Sequence, residues 1–257
     1  MKKALFLGIL LATLTSLLGE EEVQYRSLRV LCLGDAPPFE QEIRNGVRYE
    51  LDPPEGSIPP ASVMVTGLNT TDEKAGFRLQ LGRLSESRQF KVGDEVPVLT
   101  LKNEEGETWF SSRLPDYPRT LLVMWRLKGE DWFKPRHLFL PDNANDSSVR
   151  VLNLTGQTMG IAFADQKVSA IPGKPVSLAF PSGASAEFAI LYSQAGGGVR
   201  PCLQTLLQQS RNRSQQFFVY AADTAESRVP YKVTSLQDNY TMRTDLGPEP
   251  TQAKAED

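Results

Sequence analysis

Apolar and polar residues alternate along most of this chain. In FRLQLGRL, every second position is apolar at Phe77, Leu79 and Leu81, and AEFAILY repeats the rhythm at Phe188, Ile190 and Tyr192. GIAFADQKV carries Ile161 and Phe163 on one side, and VPYKV does the same with Val229, Tyr231 and Val233. A period of two puts such residues on one face of a pleated strand, where a core can take them. Turn-forming clusters separate the runs: VGDE, NEEGE, KGED, IPGKP and PSGAS. The stretch LLVMWRLKGEDWFKPRHLFL reads as a hairpin turning at Lys128–Asp131. Only PCLQTLLQQSR has a helical rhythm, through Leu203, Leu206 and Leu207, and it predicts a small helix. Short alternating strands at this spacing predict an antiparallel all-β protein of sandwich or barrel type.

The pattern also repeats. SLRVLCLGD from Ser27 returns as SVRVLNLTG from Ser148, an offset of 121. FKVGDEVPVL (Phe90–Leu99) resembles SAIPGKPVSL (Ser169–Leu178), aligning Gly93 with Gly173, and TWFSS (Thr108–Ser112) can be placed on ILYSQ (Ile190–Gln194). LLVMW (Leu121–Trp125) matches FFVYA (Phe217–Ala221), and LPDN (Leu140–Asn143) matches LQDN (Leu236–Asn239), both at offset 96. Matched segments in one order with changing gaps predict a duplicated unit. The expected fold is therefore two tandem antiparallel β-sandwich domains of Ig or Greek-key type, residues 26–140 and 147–238, joined by PDNANDSS (Pro141–Ser148). Val30 and Val151 should face inward, with Arg29 and Arg150 on the alternate face serving solubility.

The ends change the setting. Met1–Gly19 has two lysines followed by a short apolar stretch, which predicts a secretory signal peptide of bacterial type. The expected location is the periplasm or the extracellular space. No other stretch is long and apolar enough to span a membrane. Without the leader the chain carries 26 basic and 31 acidic residues, a net charge of −5, which disfavours nucleic acid as a partner. The tail, residues 244–257, is polar and expected to be disordered. Cys32 and Cys202 are a candidate disulfide, one that would have to cross between the two units.

Candidate chemistry is sparse. Two cysteines and His137 make no standard zinc site, and no calcium-loop or nucleotide motif occurs; GGG at Gly196–Gly198 lacks the lysine and hydroxyl spacing of a phosphate loop. His137 in KPRHLFLP has no nucleophile motif nearby and reads as structural. A glycosidase-type carboxylate pair is neither indicated nor excluded. Five of eight asparagines begin N-x-S/T triplets (Asn69, Asn145, Asn153, Asn212 and Asn239), read here as polar turn chemistry. No catalytic residue, metal site or cofactor is assigned.

Function is sought where the two copies diverge. The first has a Pro-rich insertion, Phe39–Ala75, with LDPPEGSIPP at its centre and RYEL and SVMV as an extra strand pair; the second has the insertion 194–214. Proline's fixed φ and missing N–H favour extended backbone at an edge or in solvent. Such a segment serves equally as an edge cap or as a partner-binding flap. Trp132 and Phe133 are adjacent, so a strand would send one of them to the surface. The candidate partner surface is thus Tyr49, Pro53, Pro54, Ile58, Pro59, Pro60, Trp132 and Phe133. The leading expectation is an exported, non-enzymatic interaction or envelope protein with a protein partner. The alternative is a glycan-binding protein using the first-unit aromatics Trp109, Tyr117, Trp125, Trp132 and Phe133.

Overall fold

The computed structural model describes residues 25–70, 76–91, 96–142, 148–181, 185–209, 213–223, 227 and 229–239. The leader, Gly93, most of the linker and the 244–257 tail lie outside the described residues. Within them the protein is all-β, with 19 strands in several sheets and no helix.

One sheet has the order β11 (Arg136–Pro141), β10 (Arg119–Trp125), β1 (Tyr25–Leu33), β7 (Arg88–Lys91), β5 (Asn69–Thr70). A second runs β6 (Gly76–Arg78), β4 (Ser62–Thr66), β8 (Val98–Lys102), β9 (Thr108–Arg113). A third runs β15 (Pro175–Ala179), β12 (Ser148–Asn153), β18 (Arg213–Ala221), β19 (Tyr231–Asn239). The fourth is β14 (Gln166–Ala170), β13 (Met159–Phe163), β16 (Ser185–Ser193), β17 (Val199–Gln208). A separate ribbon pairs β2 (Gln41–Arg44) with β3 (Val47–Glu50).

Three apolar clusters join the four sheets in series. Val30, Cys32, Phe90, Leu122 and Met124 of the first sheet meet Val63, Leu99, Leu101 and Phe110 of the second. Val149, Val151, Phe217 and Val219 of the third meet Ile161, Phe163, Phe188 and Ile190 of the fourth. Between them, the other faces of the first and third sheets meet through Leu31, Leu33, Leu121 and Val123 against Leu152, Leu154, Phe218 and Tyr220. The first and third sheets are thus covered on both sides. That accounts for the continuous apolar runs in RVLCL, LLVMW and FFVYA, where alternation fails because neither face is wet.

The expectation that Arg29 and Arg150 sit on a solvated face is corrected by this arrangement. Both are half-buried at the edge of the middle cluster. Arg29 makes a two-pronged ion pair with buried Asp142, Nε to Oδ2 and Nη2 to Oδ1 both at 2.7 Å. Arg150 Nη1 donates to the Pro141 carbonyl at 3.1 Å. At the other edge, Asp223 accepts from Arg126 Nε at 2.6 Å and from the Asp35 amide at 2.8 Å, and Lys232 pairs with Asp35. Residues from both halves of the chain therefore share one buried ionic network.

Apart from β5 and the β2–β3 ribbon, which only the first half has among the described residues, strand pairing in the two halves corresponds. β1 is parallel to β10 and antiparallel to β7; β12 is parallel to β18 and antiparallel to β15. β4 lies between β6 and β8 as β13 lies between β14 and β16. The β8–β9 pair shifts register after Leu101, next to its turn, and the β16–β17 pair after Ile190, two residues farther from its own turn, so each hairpin has an irregularity but at a different position. The sequence matches follow this only in part. The openings fall on β1 and β12, but FKVGDEVPVL spans β7–β8 while its proposed match spans β14–β15, one strand out of step. TWFSS lies in β9 and ILYSQ begins in β16, although β9 takes the place of β17. LLVMW and FFVYA are corresponding strands, yet Val30 pairs with Leu122 and Val151 with Phe217, so the offset there is 95, not 96. A slip of one would exchange the two faces.

Two more expectations change. PCLQTLLQ, residues 201–208 of the expected helix, is strand instead and forms most of β17, paired with β16; Ser210 and Arg211 lie outside the described residues. Leu203 and Leu207 turn toward the core while Leu206 is 59% exposed, so long-range pairing overrides helix propensity. Nor is Phe39–Ala75 a single excursion, because it contains β4, a central strand whose Val63 is buried. RYEL and SVMV do not pair with each other; RYEL falls mainly in β3, which pairs β2, and SVMV forms β4, which pairs β6 and β8.

Candidate functional site: a proline and aromatic cleft

The chain from Pro53 to Pro60 folds back on the loop between β10 and β11. A turn closes with the Ser57 amide donating to the Pro54 carbonyl at 2.9 Å. Gly56 within it has φ +71°, a backbone that favours glycine, and a Cβ there would lie 2.9 Å from Cε2 of the exposed Phe133 ring, which would have to shift. Its carbonyl accepts from the Trp132 amide at 2.8 Å and from Arg126 Nη1 at 3.4 Å. The Trp109 indole N–H in turn donates to the Trp132 carbonyl.

Trp132 and Phe133 part company here. Trp132 is 1% exposed and belongs to the first apolar cluster, whereas Phe133 is 57% exposed. They sit in a turn rather than a strand, so turn geometry and not a pleat separates them. As a correction, Trp132 and Pro59 are buried and cannot be open contact surface, although both help to form the cleft.

The result is a cleft of about 480 Å³. Pro53, Pro54, Ile58, Pro59, Pro60, Trp132 and Phe133, all selected from the sequence, line it together. Tyr49 does not; it stands 49% exposed on β3, opposite Glu42. The sequence reading missed the rim, formed by Glu55 and by Glu104, Glu105 and Glu107 of the β8–β9 turn. That turn is fixed by three bonds to Asn103, including the Glu107 amide to Asn103 Oδ1 at 2.8 Å. All four glutamates are exposed, and none of their carboxylates has a hydrogen bond or ion pair among the described residues. NEEGE was legible as a turn, but what it would face was not. On the other side of the prolines lies a more apolar cleft of about 500 Å³, lined by Pro37, Phe39, Leu51, Ile58 and Leu79 at the base of the ribbon.

Other singled-out residues serve different ends. Of the five first-unit aromatics, only Phe133 is exposed; Trp109, Tyr117 and Trp125 are half-buried. His137 lies against Phe110 and Phe139, and partial burial of its ring lowers its pKa. Its Nε2 is 3.5 Å from Ser112 Oγ. Asn153 is buried, donating to the Gln157 and Ala170 carbonyls at 2.8 Å and accepting from the Thr155 amide and hydroxyl. Its triplet is turn chemistry, as expected. The candidate Cys32–Cys202 disulfide is absent: both thiols are free, Cys32 in the first cluster and Cys202 against the second.

Among known proteins, no family model and no curated protein matches this sequence.

Proposed function

We propose that this is an exported, non-enzymatic interaction protein that meets a protein partner at the proline and aromatic cleft. In this reading the chain is two tandem β-sandwich domains, divided near the 141–148 linker and descended from one duplicated unit. The shared strand pairing supports the duplication. Export rests on the Met1–Gly19 leader.

One observation carries the choice of site. Between β1 and β4 the first half inserts residues 34–61, while the second half joins β12 to β13 with residues 154–158. The inserted chain supplies the proline wall of the cleft, and the sister unit has only residues 154–158 in its place. Scaffold needs do not call for it, since the second unit closes its core without it.

The test replaces Phe133 with serine, which leaves the Trp132–Gly56 backbone bond in place. Both proteins, immobilised, are exposed to an envelope fraction. Partners captured by the wild type should be lost by Phe133→Ser with an unchanged circular dichroism spectrum. Retention of every captured protein would overturn the assignment. The glycan alternative has weaker support, because only Phe133 of its five named aromatics is exposed.

A further inference from the structure

We propose that the cleft takes a basic, extended segment of a partner polypeptide, with lysine or arginine stems on Phe133 and the prolines and their cations at the glutamate rim. This rests on the interaction reading above and adds the chemistry of the partner.

The prolines of the cleft wall offer carbon and no N–H donor, and the Gly56 carbonyl is already taken by the Trp132 amide. Four of the wall residues therefore cannot donate to an added strand, which favours recognition through side chains. The wall is also held in place: the Gly56 carbonyl is bonded to the Trp132 amide, and Trp132 is anchored in the core.

The rim has the opposite character. Glu55 and the Glu104–Glu107 turn come from segments about fifty residues apart and converge on one opening. None of the four carboxylates has a partner among the described residues. Like charges held together repel one another, and a cationic occupant relieves that repulsion. An anionic ligand would add to it, and a purely apolar one would strip water from the carboxylates without compensation.

Lysine and arginine satisfy both surfaces at once. Each has an apolar stem several carbons long and a charged head that stays near water, and a cation over an exposed ring gains from the ring's quadrupole. A cleft of about 480 Å³ accommodates a few such side chains, not a folded domain. A bare metal ion is a poorer occupant, since no cluster of His, Cys, Asp or Glu capable of holding one occurs among the described residues.

The experiment measures fluorescence anisotropy of a labelled nine-residue peptide carrying lysine at alternate positions, beside the same peptide with glutamate. The rim variant is Glu104→Gln, Glu105→Gln, Glu107→Gln. A control variant removes three charges elsewhere: Glu86→Gln, Asp165→Asn, Glu187→Gln. The lysine peptide should bind the full chain, weaken about tenfold on the rim variant and several-fold on Phe133→Ser, and change less than about twofold on the control, with binding falling as salt rises. Failure of the lysine peptide to bind, equal binding of the glutamate peptide, or equal loss on the control variant would overturn the inference. If the rim variant still captures partners that Phe133→Ser loses, the basic-segment inference fails while the interaction reading stands.

Discussion

Burial decides what the two cysteines can do. Cys32 is enclosed in the first cluster, and desolvation pushes its thiol pKa far above the ordinary value, so it stays protonated and unreactive. Cys202 is half-buried; burial raises its pKa, partly offset by its own and Leu203's backbone amides. Denatured, unreduced protein should titrate two thiols. In the native protein Cys202 should label first and Cys32 only as the chain unfolds, followed by mass spectrometry of labelled peptides. Faster labelling of Cys32 would contradict this account. A thiol raised in the folded state stabilises fully below its unfolded pKa, and that contribution is lost as pH climbs above about 8.5, where the unfolded chain ionises first. At this scale the sequence pattern was readable for which side of a strand a residue takes, but not for what covers that side. Val30 and Val151 point into cores as alternation implies. Arg29 and Arg150 follow the same alternation correctly to the other face, and only the packing of a second sheet makes that face an interior.

The ribbon β2–β3 shows the same division at the scale of elements. Asn45 and Gly46 both have positive φ, +51° and +78°, the backbone of a tight two-residue hairpin turn whose twist matches the strands. That Asn-Gly signal stands in the sequence between QEIR and VRYE and pairs them with each other, leaving SVMV to β6 and β8. The helix expected in PCLQTLLQQSR fails because three leucines fit either period until β16 is known to lie alongside. No local pattern reveals that neighbour. Among the described residues the ribbon pairs with no other strand, and nearly all of its residues are exposed, including Ile43, Val47 and Tyr49. A lone two-stranded ribbon is marginally stable, so it should open without disturbing the rest. Gly46→Val, which strains the turn, should raise hydrogen exchange across residues 41–50 while leaving the melting temperature within about 1 °C, as for a locally unfolding unit. A large fall in melting temperature would make the ribbon part of the scaffold.

At the scale of the molecule, the repeated opening strand does more than begin each half twice. β1 and β12 carry alternate residues into their own cores, while Leu31, Leu33, Leu152 and Leu154 meet in the middle cluster. Burying such a side chain contributes about 1.5–3 kcal/mol, and this cluster draws on both halves. The ionic network beside it adds directionality: Asp223 is 1% exposed and Arg126 11% exposed in their side chains, and Asp223 also holds the Asp35 amide. Gly34 shares this corner, where a Cβ would come within 3.0 Å of Asp223 Oδ2. Tandem units joined only by a linker would melt separately. These two halves share an apolar interior and a buried network, so calorimetry should record a single unfolding transition for the whole chain. Asp223→Ala should lower it by roughly 10 °C: stranding a buried arginine costs about 3–5 kcal/mol, and each kcal/mol moves a chain of this size by about 2–4 °C. Asp223→Asn should fall by less, because its amide oxygen can still accept from the Asp35 N–H. Two resolved transitions in the wild type, or an Asp223→Ala protein that melts unchanged, would mean that the middle cluster does not couple the halves.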